Sequence, residues 1–135
     1  MRKIILIAAA IGFSYTGIAQ EKYIVSANVA LSQKNYDDAK ENIDKAMLNP
    51  ETKDKPKAIF TKAQIYLQMQ GVEKYKASNP YREATQALLR LIEVKPDYEK
   101  AAVDQSLLFG GYNYYNDGVK AYNDKKYAEA IEYMK

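Results

Sequence analysis

The chain has 135 residues, of which 47% are hydrophobic and 27% charged, a balance typical of one small folded domain. It contains no histidine and no cysteine, which excludes histidine-based triads, imidazole or thiolate zinc sites and disulfides. The 20 basic residues include Arg2 and Lys3, so 18 basic and all 17 acidic side chains follow residue 19. Because no block of like charge stands out among them, we expect no nucleic-acid binding.

Residues 1–19 have the pattern of an export signal. Two basic residues precede an apolar run over 4–13, and the small residues Gly17 and Ala19 follow. The run is shorter than the roughly 20 residues of a membrane-spanning helix. We predict a signal peptide, then a mature chain that starts at Gln20 or Glu21, lacks a stable membrane span and is periplasmic or secreted. An uncleaved anchor and a buried first helix are the alternatives.

Two helices are predicted before residue 50. Apolar residues at helical spacing predict the first from Glu21 to Gln33, and the Asn35 break ends it. The second runs from Tyr36 to Leu48 and ends before Pro50. Because the break between them is so short, the two helices must pack antiparallel.

The next two helices are separated by a longer connection. The third is predicted from Pro56, a favourable first-turn residue, to Gln70. A polar loop over 71–80 follows it. The fourth runs from Tyr81 to Val94 and stops before Pro96.

The last part of the chain contains two adjacent glycines in a helical pattern. A fifth helix is predicted to begin at Asp97 as its N-cap. Gly110 and Gly111 either break it or lie inside one long or kinked helix reaching Asn123. We favour the long helix because each glycine costs only about 1 kcal/mol relative to alanine. A final helix then begins at Lys126 or Tyr127.

Three tyrosines mark an internal period. Tyr36, Tyr81 and Tyr127 are separated by 45 and 46 residues, and each opens a helix with alanine and large apolar residues at three- and four-residue spacing. A period of this length indicates a helical repeat array. The third copy reaches the last residue before a closing proline, so we expect it to be incomplete.

This pattern resembles the tetratricopeptide repeat (TPR), with copies over about 21–50, 56–96 and 98–135 inside a domain over 20–135. The matching packing positions are Ala27, Tyr36, Ala39, Ile43, Ala46, Ala63, Tyr66, Ala84, Leu88, Leu91, Gly118, Tyr127, Ala130 and Met134. The period exceeds the roughly 34 residues of the family, and no tryptophan opens the first helix of a pair. The resemblance implies an all-α fold of antiparallel helix pairs in a short right-handed solenoid, and an ordinary helical bundle is the alternative.

The resemblance further implies a protein–protein interaction scaffold rather than an enzyme. Its partner, a peptide or protein, would bind the concave face, which the first helix of each pair lines. The export-signal pattern of residues 1–19 predicts that this partner lies in the cell envelope and indicates a Gram-negative bacterium. The amide and tyrosine side chains expected on that face are Asn28, Gln64, Gln68, Tyr112, Tyr115, Asn116, Tyr122 and Asn123. Some family members bind the terminal carboxylate of their partner with a lysine. At the positions where this lysine would be expected, the chain has Ile24, Phe60 and Tyr115, so we predict no such carboxylate clamp.

We predict no catalytic residue, no cofactor and no metal site. The alternative function is an exported glycan-binding protein, or a carboxylate-dependent glycoside hydrolase component whose tyrosines stack on sugars. Hydrolysis would require two facing carboxyl groups at a defined separation. The acidic residues instead fall mainly where solvated helix faces are expected, which favours the scaffold.

Overall fold

The computed structural model describes residues 21–133, which are all-helical and include no strand. The helices are α1 (21–32), α2 (Tyr36–Leu48), α3 (Pro56–Gln70), α4 (Glu73–Lys76), α5 (Pro80–Val94), α6 (Lys100–Asn123) and α7 (Tyr127–Tyr133). The predicted all-α class is therefore confirmed. The predicted signal peptide over 1–19 and the predicted packing residue Met134 lie outside the described residues. Within 21–133, no helix combines the length and the apolar character needed to cross a membrane.

The bounds of α2 and α3 follow from their first-turn residues. The side chain of Asn35 accepts a hydrogen bond from the backbone N–H of Asp38, which caps α2. Pro56 occupies the first turn of α3, where its missing N–H costs nothing. Both helices have the predicted bounds, and α5 starts one residue earlier than predicted because Pro80 begins it in the same way.

α6 is a single helix that passes through Gly110 and Gly111 without a break. The favoured long helix is therefore confirmed, but its predicted start is wrong. Asp97 lies in a turn over 96–99, and α6 begins only after Glu99, whose backbone is left-handed with φ 47°. This turn reverses the chain after Pro96, so the helix cannot begin at Asp97.

The connection predicted as a loop over 71–80 contains the short helix α4. The Tyr75 ring packs edge-on against Tyr36, with ring centroids 6.0 Å apart. The Tyr75 hydroxyl donates to Asp37 Oδ1 over 2.8 Å, and Lys74 Nζ lies 2.5 Å from Asp37 Oδ2. The longer connection between α3 and α5 is therefore folded back onto the start of α2.

Two inter-helix turns share one hydrogen-bonding pattern. Lys34 ends the α1–α2 turn with φ 57°, and Lys125 ends the α6–α7 turn with φ 60°. In each turn the N–H of this lysine bonds the carbonyl three residues back, and the next N–H bonds the carbonyl five residues back. This is the Schellman arrangement of a helix C-terminus. The first and third helix pairs are therefore joined by the same backbone geometry.

The core consists of two clusters of buried side chains that share α3. Residues of α1, α2, α3 and the α5 residue Ala84 form the first cluster, and residues of α3, α5 and α6 form the second. The buried residues of α3 are Ala58, Ile59, Thr61, Ala63, Ile65, Tyr66, Met69 and Gln70. α3 is thus the central helix, covered on two sides.

The third helix pair packs through small residues and tyrosine edges. Gly118 lies beneath Tyr133, and a Cβ added to Gly118 would stand 3.0 Å from the Tyr133 Cβ. Tyr114 links three helices, because its ring contacts Tyr81 and Tyr133 edge-on and its hydroxyl bonds Asn79. α7 therefore lies close against α6.

Most of the predicted packing residues that the structure describes are buried. The buried members are Ala27, Ala39, Ile43, Ala46, Ala63, Tyr66, Ala84, Leu88, Leu91, Gly118 and Ala130. Tyr36 is half-buried. Tyr127 departs from the expectation, since it is 54% exposed and packs edge-on against Tyr122 of α6 at the surface instead of being buried.

Candidate functional site

Two adjoining grooves lie along the central helix α3. The α1–α3 groove has a volume of about 400 Å³ and is lined by Val25, Asn28, Val29, Ser32, Lys57, Phe60, Thr61, Tyr98 and Glu99. The α3–α6 groove has a volume of about 370 Å³ and is lined by Gln64, Leu67, Tyr81, Ala102, Gln105, Ser106, Phe109, Gly110 and Asn113. The step of four residues from Phe60 to Gln64 on α3 joins the two linings on one helix face. Together the grooves form the candidate site.

The α1–α3 groove has an aromatic base and aliphatic walls. The rings of Phe60 and Tyr98 meet edge-on, with centroids 5.9 Å apart and an interplanar angle of 68°. Val25 and Val29, one helical turn apart on α1, are each about half exposed. Such a surface offers apolar area that stays open to a ligand.

Asn28 fixes the spacing between α1 and α3. Its amide nitrogen donates to the Ile24 carbonyl over 2.9 Å and to Thr61 Oγ1 over 3.0 Å. Asn28 is only partly exposed, and Thr61 is buried. This predicted binding residue does line the groove, but its amide N–H groups already bond within the chain.

The α3–α6 groove alternates amides with apolar side chains. Gln64 comes from α3, and Gln105 and Asn113 come from α6. Phe109 lies one turn from Gln105 and remains 57% exposed. An amide can donate to and accept from a backbone or a sugar hydroxyl, while the phenyl ring supplies apolar contact.

The charge of the two grooves is low. Within residues 21–133, the α3–α6 groove is lined by no charged side chain. The α1–α3 groove is lined by Lys57 and Glu99, which carry opposite charge. The site therefore suits an uncharged, partly apolar ligand better than a phosphate or a polyanion.

The remaining predicted amides extend this face. Gln68 is exposed and follows Gln64 by one turn of α3. Asn116 and Asn123 are also exposed, and they follow Gln105 by 11 and 18 residues, which keeps them on the same side of α6. Neither groove includes these three residues.

The three predicted tyrosines lie outside the two grooves. Tyr112, Tyr115 and Tyr122 line neither groove and are each more than half exposed. Of the eight predicted site residues, Asn28 and Gln64 therefore line the grooves and the other six do not.

Several groove residues were not among the binding residues predicted from the sequence. They are Phe60, Tyr98, Gln105 and Phe109. The sequence did contain a pattern that could have identified these groove residues. Phe60 and Gln64 are four residues apart, as are Gln105 and Phe109. This spacing places an aromatic ring and an amide on one helix face twice.

The described carboxylates are mostly engaged in surface ion pairs. Hydrogen bonds from Lys74 and Tyr75 lower the pKa of Asp37, and the Lys45 ammonium lowers the pKa of Glu41. Lys55 and Lys76 lower the pKa of Glu21 and Glu73 in the same way. A general acid needs a pKa shifted upward, so these four groups are unsuited to that role.

A third cleft shows where the described acidic groups are most concentrated. It lies between α4 and α7, has a volume of about 640 Å³, and is lined by Glu73, Glu129 and Glu132 together with Lys76 and Arg82. Its charge is mixed, and no group of three or more metal-ligating side chains is found within the described residues.

Comparison with protein-family models, with curated proteins and with solved structures finds no match to this chain.

Proposed function

We propose that the chain is a non-enzymatic, TPR-like scaffold that binds a peptide or protein segment along the face made by α1, α3 and α6. One observation carries this proposal. Two adjoining grooves run along α3, lined by amides and open apolar side chains, and the α3–α6 groove has no charged residue among those that the structure describes. Such a lining fits a polypeptide, whose backbone is polar throughout and whose side chains supply apolar area.

The repeat character rests on two independent features. The tyrosines that open α2 and α7 are 91 residues apart (127 minus 36), and the turns that precede them have the same hydrogen bonds. The middle pair, α3 and α5, has the corresponding tyrosine, Tyr81, but a longer connection that contains α4. In a repeat array the first helices of successive pairs line one face, which here are α1, α3 and α6.

The partner would be recognised outside the cytoplasm. This part of the proposal rests on the basic, apolar and small-residue pattern of 1–19. Intact mass measurement of the exported protein is expected to show a chain that starts at Gln20 or Glu21. A full-length mass in the exported fraction would contradict cleavage.

The binding face can be tested with peptides displayed on phage. Random 12-residue peptides would be selected on the immobilised chain, and the best peptide measured by calorimetry against variants. We expect Phe109→Ala to weaken binding by about tenfold or more, as truncation of an exposed aromatic anchor does. Gln64→Ala should weaken binding less, because it removes hydrogen bonds with little area.

Leu89→Ala is the matched control, since Leu89 is an exposed apolar residue of α5 that lines neither groove. It should leave affinity unchanged. Equal losses for Leu89→Ala and Phe109→Ala would place the ligand elsewhere and refute the groove assignment.

The alternative, a glycan ligand, is favoured by the exposed tyrosines of α6, because aromatic rings stack on sugars. The same protein applied to a glycan array separates the two functions. Saturable binding to a sugar, together with failure to select any peptide, would overturn the scaffold proposal.

A further inference from the structure

The outer face of α6 carries a continuous stripe of large apolar side chains. Its members are Leu108, Tyr112, Tyr115, Val119 and Tyr122, and the steps between them are four, three, four and three residues. This is the spacing of a helix surface that packs against another helix along its length. The buried residues of α6, Val103, Gly110, Gly118 and Ala121, lie on the other side. We call these five residues the α6 stripe.

The α6 stripe is open in the described structure. Exposure ranges from 38% at Val119 to 73% at Leu108. Given the size of these side chains, the stripe offers on the order of 700 Å² per copy, close to the roughly 800 Å² per partner of a standard protein interface. The area is therefore sufficient for a specific contact.

The centre of the stripe is free of charge. No charged residue occurs over 105–116, where the sequence reads QSLLFGGYNYYN. Two copies of this segment can therefore approach without like-charge repulsion. Gly111, within the same segment, has no atom of the chain within 4 Å of an added Cβ, so packing inside the chain does not require a glycine there.

We infer that the α6 stripe is a self-association surface, on which α6 of a second copy packs antiparallel. A twofold axis between Tyr112 and Tyr115 places each of these tyrosines opposite the other in the second copy. The same axis sets Leu108 opposite Val119 and Gln105 opposite Tyr122. Leu108 thus packs against the smaller Val119, and the Gln105 amide can form a hydrogen bond with the Tyr122 hydroxyl. A twofold contact of this kind uses the same surface on both copies.

The charges at the ends of α6, counted together with the turns that flank the helix, favour the antiparallel direction. Residues 97–104 contain three acidic and one basic side chain, which gives −2. Residues 117–126 contain two acidic and three basic side chains, which gives +1. Antiparallel packing brings the negative end of one copy to the positive end of the other, whereas parallel packing would join like ends.

None of the five stripe residues lines the α1–α3 or the α3–α6 groove. Gln105, which faces Tyr122 of the second copy, does line the α3–α6 groove, so the contact would border that groove. The α1–α3 groove would stay open in both copies.

Sedimentation velocity of the chain over 1–500 µM tests the inference. We expect a monomer–dimer equilibrium within this range. Tyr115→Lys, at the centre of the stripe, should weaken the dimer by about 100-fold or more, because it would bury two ammonium groups beside the axis. Leu48→Lys is the matched control, since Leu48 is an exposed leucine of α2. A monomer at every concentration, or equal weakening by both variants, would overturn self-association through this stripe.

Cross-linking tests the direction, because the chain contains no cysteine of its own. Tyr112→Cys protein mixed with Tyr115→Cys protein should form a mixed disulfide faster than either forms one alone, since antiparallel packing places residues 112 and 115 opposite each other. Faster formation by either variant alone would overturn the antiparallel arrangement. If a tryptophan-labelled amphipathic helix bound the α6 stripe while the chain stayed monomeric, self-association would be refuted and the stripe would be a binding surface for a different protein.

Discussion

The helices α1–α5 and the pair α6–α7 follow the same sequence pattern but differ in how they are held. α3 has 15 residues and buries eight of them, whereas α6 has 24 residues and buries four. Two clusters of aliphatic side chains stabilise the first region. The second depends on glycine, alanine and tyrosine edges. A helix can thus be well formed and still keep most of its apolar surface for contacts outside the chain.

Truncation in the core should produce the largest effect. Leu88 is 1% exposed between α3, α5 and α6, and Leu88→Ala should lower the free energy of unfolding by about 3 kcal/mol through lost burial and a cavity. Urea unfolding followed by circular dichroism measures the change. The neighbouring exposed Leu89→Ala should cost less than about 1 kcal/mol. Similar losses for both variants would refute the assignment of Leu88 to the core.

Hydrogen exchange should distinguish the two regions without any substitution. α7 buries only Ala130 among its described residues, whereas α5 buries Pro80, Ala84, Ala87, Leu88 and Leu91. We expect amides over 127–133 to exchange through local openings whose free energy is at least about 2 kcal/mol lower than that of the openings in α5. The measurement belongs at low micromolar concentration, where self-association is weakest. Equal protection of α5 and α7 would show that both regions open as one unit.

Alanine substitutions at two glycines of α6 should change the stability of the protein in opposite directions. Gly118→Ala places a Cβ 3.0 Å from the Tyr133 Cβ, close to the α7 backbone, so α7 must move. We expect a loss of about 1–2 kcal/mol from this overpacking. Gly111→Ala meets nothing within 4 Å and should instead stabilise α6 by about 0.5–1 kcal/mol. Thermal unfolding measures the stability of both variants. A more stable Gly118→Ala protein would contradict the overpacking and would mean that α7 packs loosely on α6.

The smallest effect is expected at the contact between α4 and α2. Removing the hydrogen-bond donor with the largest influence, Lys74→Ala, should raise the pKa of Asp37 toward its usual range more than Tyr75→Phe does. Because the pKa of Asp37 is lowered by folding, its contribution is present above the unfolded pKa and is lost as the pH falls through the folded pKa. NMR titration of the carboxyl carbon measures the shift.

Lys76→Ala serves as the control for this titration, because Lys76 pairs with Glu73 and does not contact Asp37. An equal rise in the Asp37 pKa for Lys74→Ala and Lys76→Ala would mean that the pKa responds to the loss of any nearby positive charge and not to the Lys74 hydrogen bond. High salt should reduce the difference between the variants, since the contact is exposed.

Local signals in the sequence predicted most of the helices. The bounds of α2 and α3 follow from Asn35 and Pro56, because a cap and a first-turn proline act within a few residues of themselves. The start of α6 could not be predicted in this way. The turn after Pro96 and the left-handed Glu99 fix it, and the sequence at Asp97 offered an equally good cap.

The candidate site was predictable only in part. Gln64 and Asn28 were selected for their residue type and do line the grooves, but the bonds of Asn28 to Thr61 depend on how α1 meets α3. The tyrosines of α6 were predicted together with the amides because both side chains can form directional hydrogen bonds. In the structure the tyrosines line neither groove, because the position of α3 decides which part of α6 is enclosed.

The sequence by itself determined the helical class, the tyrosine period and the positions of most helix ends, because these depend on spacing and on short-range hydrogen bonds. Only the tertiary structure decided that α3 is buried on two sides, that α4 folds back onto α2, and that α6 presents an open apolar stripe. The reason is physical: the pattern of one helix shows which faces are apolar, but which of them are covered depends on where the other helices lie.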